Sequence, residues 1–209
     1  MPGGKLVIEA PELRIDPELL LKPFRWEDCF GEGDGPVEIE IGIGKGRFLL
    51  AAAEPRPEVR HLGVEWANKY LRYAEARAVR KGLENVRFAR LDASDMLPSI
   101  PDRSVRQLYV FYPDPWPKKK QQKRRFLRRT NADQIARILT ADGTLHVATD
   151  HVDYWAQIEP LFDGHPAFRR QAEFGGERFP LPTEAPLTNF EAKYAKEGRG
   201  RHRASWNLA

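Results

Sequence analysis

The sequence predicts an α/β protein with a Rossmann-like, mostly parallel central sheet and helices on both faces. Short apolar stretches alternate with helix-like ones along most of the 209 residues, which implies right-handed βαβ crossovers. A glycine turn, Gly42-Ile-Gly44-Lys-Gly46, directly follows the first apolar stretch. Five strand ends each carry an acid: Glu40, Glu65, Asp92, Asp114 and Asp150. In open α/β sheets ligands bind at those ends, so one acid per end is more than packing calls for.

Val37–Ile41 reads as the first strand, and Arg47–Glu54 as a helix that stops at Pro55. His61–Glu65 is the second strand. Asn68–Lys81 is a helix rich in Ala and Arg, with Gly82 where a C′ glycine belongs. Its Lys69, Arg72, Arg77, Arg80 and Lys81 are expected to form a solvated face. Val86–Leu91 is the third strand. Val105–Tyr112, nearly continuous in apolar and aromatic residues, is the fourth and suits the centre of a parallel sheet. Phe126–Leu139 is a helix, closed by an Ala-Asp-Gly turn at 141–143. Thr144–Thr149 is the fifth strand and Val152–Phe162 a helix. Ala167–Phe174 and His202–Leu208 are two last strands, separated by a Pro-rich connection, Phe179–Pro186, and a short helix from Asn189. Residues 1–35 show no period and are expected to form an irregular arm ahead of one domain, 36–209.

Composition narrows the class. At 41% hydrophobic and 31% charged residues the chain is globular. Net charge is +4, yet residues 118–129 hold eight Lys or Arg and no acid, so the rest sums to −4. Positive charge concentrated in this way is expected of a nucleic-acid footprint. The lone Cys29 excludes an internal disulfide and suits a reducing cytoplasm. No apolar stretch approaches membrane-spanning length. His61, His146, His151, His165 and His202 lack metal-ligand spacing, so no metal is expected. Monomer and homodimer both remain open.

The most informative stretch is Tyr112-Pro-Asp-Pro-Trp-Pro-Lys-Lys. Two prolines fix the backbone around Asp114, while Tyr112 and Trp116 offer flat faces on which a base can stack. The basic run begins at Lys118 and includes Lys120, Lys123, Arg124 and Arg125, which can neutralise phosphates. Further on, Thr188-Asn-Phe-Glu191 is a capping box by spacing and equally a place to fix an acid at a helix start. The glycine turn lacks the third glycine of a dinucleotide fingerprint, for Arg47 stands there. Glu40 ahead of it would repel a pyrophosphate and suits a cationic ligand. Glu65 lies 21 residues beyond Gly44, where an acid can accept from both ribose hydroxyls.

The glycine turn with Glu40 resembles motif I of class I S-adenosylmethionine methyltransferases. The wider set, in order, is Glu40-Ile-Gly-Ile-Gly-Lys-Gly, Gly63-Val-Glu-Trp, Tyr112-Pro-Asp-Pro-Trp-Pro-Lys-Lys, Arg124-Arg-Phe, Ala148-Thr-Asp and Thr188-Asn-Phe-Glu. It resembles the bacterial tRNA (guanine-N7)-methyltransferase family, which modifies guanine 46 of the variable loop. The resemblance implies a class I methyltransferase fold, S-adenosylmethionine as cofactor and tRNA as partner. It implies cofactor contacts at Glu40, Gly42, Gly44, Gly46, Glu65, Asp92 and Asp114. It implies substrate contacts at Lys118, Asp150, Thr188, Asn189, Phe190 and Glu191, and an RNA-facing segment over Lys120 to Arg125.

Asp114 is the leading candidate for catalysis, ahead of Asp150 and Glu191, because its turn is the most constrained. Two other classes stay open: a methyltransferase with another substrate, and an RNA-binding module without activity. Loss of Glu40, Glu65 or the glycines would mark such a module, and all are present.

Overall fold

The computed structural model describes residues 11–197 and 200–209. Its strands are β1 (Val37–Ile41), β2 (Arg60–Val64), β3 (Val86–Ala89), β4 (Val105–Phe111), β5 (Leu139–Thr149), β6 (Phe168–Arg170) and β7 (His202–Leu208). They form one sheet in the order β3-β2-β1-β4-β5-β7-β6. The first five pair parallel, and β7 runs antiparallel between β5 and β6. The expected mostly parallel α/β sheet is therefore present, with the order reversing at β1 beside β4.

The helices are α1 (Trp26–Phe30), α2 (Arg47–Ala53), α3 (Asn68–Lys81), α4 (Ala93–Met96), α5 (Arg129–Ile138), α6 (Val152–Asp163) and α7 (Asn189–Lys196). The span of α3 is the one expected; its cap Gly82 sits at φ 64°, a conformation glycine takes without a Cβ penalty. The main core lies under β1, β4 and β5, where Ile39, Leu108, Leu145 and Trp206 are fully buried. Trp26 and Trp155 join it. No helix among the described residues is long and apolar enough to cross a membrane.

Four local expectations change, the first being the fifth strand, which begins at Leu139 and runs through the expected 141–143 turn. The helix expected from Phe126 starts at Arg129. Leu127 is tied to α6 instead: its N–H donates to the Tyr154 hydroxyl at 2.9 Å, and its carbonyl accepts from Gln157 at 3.1 Å. The strand expected over Ala167–Phe174 shrinks to Phe168–Arg170, because Gly175 and Gly176 (φ 100° and 70°) turn the chain back over the sheet. There Phe174, Phe179 and Leu187 pack on Phe48, Tyr109, Phe111 and Ala148. Finally, the arm is more ordered than its sequence implies. Residues 1–10 lie outside the described residues, but Pro11–Leu13 and Pro17–Leu21 form short 3₁₀ turns before α1. They bury Leu13, Ile15, Leu20 and Phe24, and Ile15 N–H donates to Phe88 O at 2.8 Å.

Candidate active site

Strand β1 carries two glutamates two residues apart, so both side chains lie on one face of the sheet. They meet opposite conditions. Glu38 is fully buried and fully paired. Arg56 grips it with two hydrogen bonds of 2.8 and 2.9 Å, Arg106 adds one at 2.6 Å, and the Tyr109 hydroxyl donates at 2.9 Å. Burial alone would raise its pKa, but the Arg56 and Arg106 contacts and nearby His61 hold it below the usual carboxylate range.

Glu40 is buried as deeply and has no such partner. Its Oε2 meets no hydrogen-bond donor. Burial pushes its carboxyl up to about 8, with Glu65 adding to the rise and a backbone hydrogen bond from Leu49 opposing it. A buried carboxylate without a counter-charge is costly, and a cationic ligand group would remove that cost.

Beside Glu40 the glycine turn leaves room for such a ligand. Gly42 and Gly44 sit at φ 77° and 52°, and a Cβ on either would meet no atom within 4 Å. Gly46 differs. A Cβ there would lie 2.9 Å from the Ala74 Cβ, so Gly46 also lets α2 and α3 approach closely. Spacing alone cannot separate these two uses of a glycine.

Glu65, just past β2, closes the cradle. Its Oε2 accepts from Gly44 N–H at 2.9 Å and its Oε1 from Ala67 N–H at 2.8 Å. Each oxygen keeps a second lone pair for a ligand hydroxyl. Trp66, next along, is 68% exposed, with the Arg90 guanidinium 6.0 Å from its ring centroid. It is the aromatic of Gly63-Val-Glu-Trp, directly after the strand-end acid. Asp92 caps α4, its Oδ1 accepting from Ser94 N–H at 2.8 Å. The set fits a ligand with a cationic head and adjacent hydroxyls.

The Pro-Asp-Pro-Trp turn follows β4, where the chain leaves the sheet beside β1 and β5. Tyr112 and Trp116 adopt φ of 53° and 40°, strained values for aromatic residues. The strain is held from several sides. Tyr112 N–H donates to Ala148 O at 2.7 Å, the Arg124 guanidinium stacks 5.0 Å over Trp116, and Arg125 Nε donates to Pro115 O at 2.7 Å. Asp114, between these rings, stays exposed. Lys118 precedes a 3₁₀ turn, Lys119–Arg124, on which Lys118, Lys120, Lys123 and Arg124 are exposed.

Arg125 departs from the expected RNA-facing row. It is 2% exposed, stacks 4.6 Å over Tyr154, and donates to Gln157 Oε1 at 2.8 Å. It fastens the turn to α6, while Lys120, Lys123 and Arg124 stay exposed.

Asp150 and the 188–191 segment reach the same region. Burial first, then Glu191, then Asp150 push the Tyr112 hydroxyl well above the usual phenol range, while Arg201 and Arg203 oppose them. Those four charges therefore surround Tyr112. Thr188 caps α7, with Oγ1 accepting from Glu191 N–H at 3.0 Å. Glu191 is 3% exposed; its Oε2 accepts from Leu187 N–H and its Oε1 from Arg201, each at 2.7 Å. The capping geometry thus accompanies, and does not replace, a position beside the aromatic turn. Asn189 and Phe190 are exposed at the start of α7.

A family model described as "Putative methyltransferase" matches residues 34–204. A tRNA (guanine-N(7)-)-methyltransferase of Aliivibrio salmonicida is 36% identical over 176 residues, covering 84% of this chain and 73% of the relative. A Vibrio cholerae protein of the same name is 35% identical over 194 residues, 91% of this chain and 79% of its own. Among solved structures, the aminoglycoside resistance methyltransferase NpmB1 superposes with a TM-score of 0.56 at 16% identity, covering 92% of both chains. TrmN from Thermus thermophilus gives 0.57 at 17% identity, over 84% of this chain and 44% of that one. At these identities the two structures attest the fold alone.

Proposed function

The chain belongs to the tRNA (guanine-N7)-methyltransferase family, and on that premise we propose that it transfers a methyl group from S-adenosylmethionine to N7 of guanine 46 in the tRNA variable loop. The observation that carries the cofactor reading is the contrast within β1: Glu38 is neutralised by two arginines, while Glu40, just ahead of the glycine turn, is buried with Oε2 unpartnered. When bound, S-adenosylmethionine supplies an electrophilic methyl group on a sulfonium. Glu40 holds the ammonium of its amino-acid part, Gly42 and Gly44 let backbone approach it, and Glu65 accepts from the ribose hydroxyls. Asp92 would contact the adenine end.

Guanine N7 carries an in-plane lone pair and no proton at neutral pH, so no residue has to act as a base. The work left to the chain is positioning and electrostatics. Tyr112 and Trp116 present faces against which the base is held. The ring becomes cationic as N7 is alkylated, and Asp114 supplies the nearest exposed carboxylate of the rigid turn. Asp150 and Glu191 flank Tyr112 and favour guanine through its N1–H and N2–H₂ donors. Lys118, Lys120, Lys123 and Arg124 take the phosphates around the target, and Thr188, Asn189 and Phe190 contribute further substrate contacts.

The test uses tRNA that lacks the modification, incubated with the protein and S-adenosylmethionine, then digested for nucleoside analysis and mapped. The expected product is 7-methylguanosine at position 46. Methylation at another guanine would shift the target, and absence of 7-methylguanosine would overturn the reading.

A further inference from the structure

The basic face of α3 is not an ordinary solvated helix. At 3.6 residues per turn, Lys69, Tyr70, Tyr73, Arg77 and Arg80 fall within an arc of about 100°. Solvated helices usually intersperse acids among such cations. The one acid of α3, Glu75, is buried and turned to Arg14 at 2.7 Å. Tyr70 and Tyr73 stand 40% and 37% exposed in the same stripe.

The stripe continues onto the glycine turn. Lys45 Nζ lies 5.3 Å over the Tyr73 ring, and Arg77 donates to Lys45 O at 2.8 Å. Arg77 is held below its usual pKa by burial and then by the like charges of Arg80 and Arg47. Positive charge is thus crowded together beside exposed rings, a combination that a polyanion relieves. A second copy of this face would instead meet it with the same sign of charge, as a two-fold contact requires.

We propose that this face, formed by α3 with Lys45 and Arg47, is a second contact for the sugar-phosphate backbone of the tRNA, separate from the one at 118–124. It rests on tRNA being the substrate. The sheet order supports the placement. The α3 face lies on the β2–β3 side of the glycine turn, and the Lys118–Arg124 segment follows β4, on the other side of β1. An RNA whose base enters at the turn after β4 meets cations to both sides.

The experiment measures binding of unmodified tRNA transcript at several salt concentrations to the parent and to Lys69→Glu/Arg80→Glu, both exposed positions. The expected result is an affinity about tenfold weaker and a salt slope smaller by about 1 for each lost phosphate contact. S-adenosylmethionine affinity and turnover at saturating tRNA should match the parent, which also shows that the variant is folded. Arg80→Lys should retain the parent affinity. Equal affinity and slope in the charge-reversed variant would overturn the proposal. So would loss of a dimer with RNA affinity unaltered, which assigns the face to self-association. Product analysis on the same tRNA separates the two readings: a parent that binds tRNA but forms no 7-methylguanosine counts against the proposed reaction, while the affinity difference still decides the surface.

Discussion

Glu65 accepts the Gly44 backbone N–H at 2.9 Å, joining the acid after β2 to the glycine turn after β1. The residue proposed to hold the ribose therefore also shapes the cradle. Glu65→Ala should weaken S-adenosylmethionine binding, since hydrogen bonds to a charged group are worth about 1.5–3 kcal/mol. It should also lower the melting temperature, because Gly44 and Ala67 both lose an acceptor. Calorimetry and thermal unfolding read the two effects separately. Unchanged cofactor affinity in a folded variant removes Glu65 from the site.

Glu40 predicts a pH dependence. Its carboxyl is raised from 4.5 to about 8 by burial, so between those values the folded protein keeps a proton that the unfolded chain releases. The stability it contributes is full below the unfolded value and is lost as pH rises through about 8. Relative to Glu40→Gln, the parent's melting temperature should fall across that window. Cofactor binding near neutral pH should release a proton from the parent and none from Glu40→Gln, seen by calorimetry in buffers of different ionisation enthalpy. Identical behaviour of the two proteins would refute the assignment.

Two neighbours in the basic run should behave differently. Replacing exposed Lys123 and Arg124 with Ala should raise the KM for tRNA and flatten its salt dependence, with stability nearly unchanged. Arg125→Ala should mainly destabilise, by about 1–3 kcal/mol, since Pro115 O and Gln157 lose a buried donor. A salt slope that moves only with Arg125 would reverse these roles.

Asp114→Asn keeps the shape of the turn and removes its charge. Turnover should drop far more than tRNA affinity, because the charge matters most as N7 becomes cationic. Single-turnover kinetics at saturating tRNA measure this. Parent-like rates would leave Asp114 as a turn residue only.

Glu191→Gln tests the segment after the Pro-rich connection. Both carboxylate oxygens are in use, so a stability loss beyond the roughly 0.5–2 kcal/mol of a capping defect is expected, together with reduced methylation and intact cofactor binding. Hydrogen exchange over residues 179–191 should slow when tRNA binds. Equal protection with and without tRNA, and a loss of stability alone, would leave Glu191 as a cap.

What could be read from the sequence was whatever repeats locally. Asn68–Lys81 and His202–Leu208 carry their own period and boundaries, and both spans recur in the structure. The short α4, Ala93–Met96, went unread because four residues are too few to show a helical period. The candidate acids were legible because a carboxylate at a strand end is conspicuous. Their partners were not: that Glu38 is neutralised and Glu40 is not depends on Arg56 and Arg106, far along the chain. Arg125 was hidden for a similar reason, since a run of like charges does not reveal which member turns inward. Gly46 looked like its neighbours until Ala74 was found against it.

Strand β7 is the last of the seven along the chain, yet it enters the sheet between β5 and β6. As the protein emerges from the ribosome, β1 to β5 can assemble while β5 keeps an open edge and β6 has no neighbour. Arg201, which holds Glu191, directly precedes β7. The strands that carry the glycine cradle, with Glu40 and Glu65, can therefore pair in the nascent chain before the Glu191 side is secured. Chains stalled just short of residue 202 should bind S-adenosylmethionine and fail to methylate tRNA, and failure to bind it would refute this order. The strand order thus lets the proposed cofactor cradle form before the strand that secures Glu191.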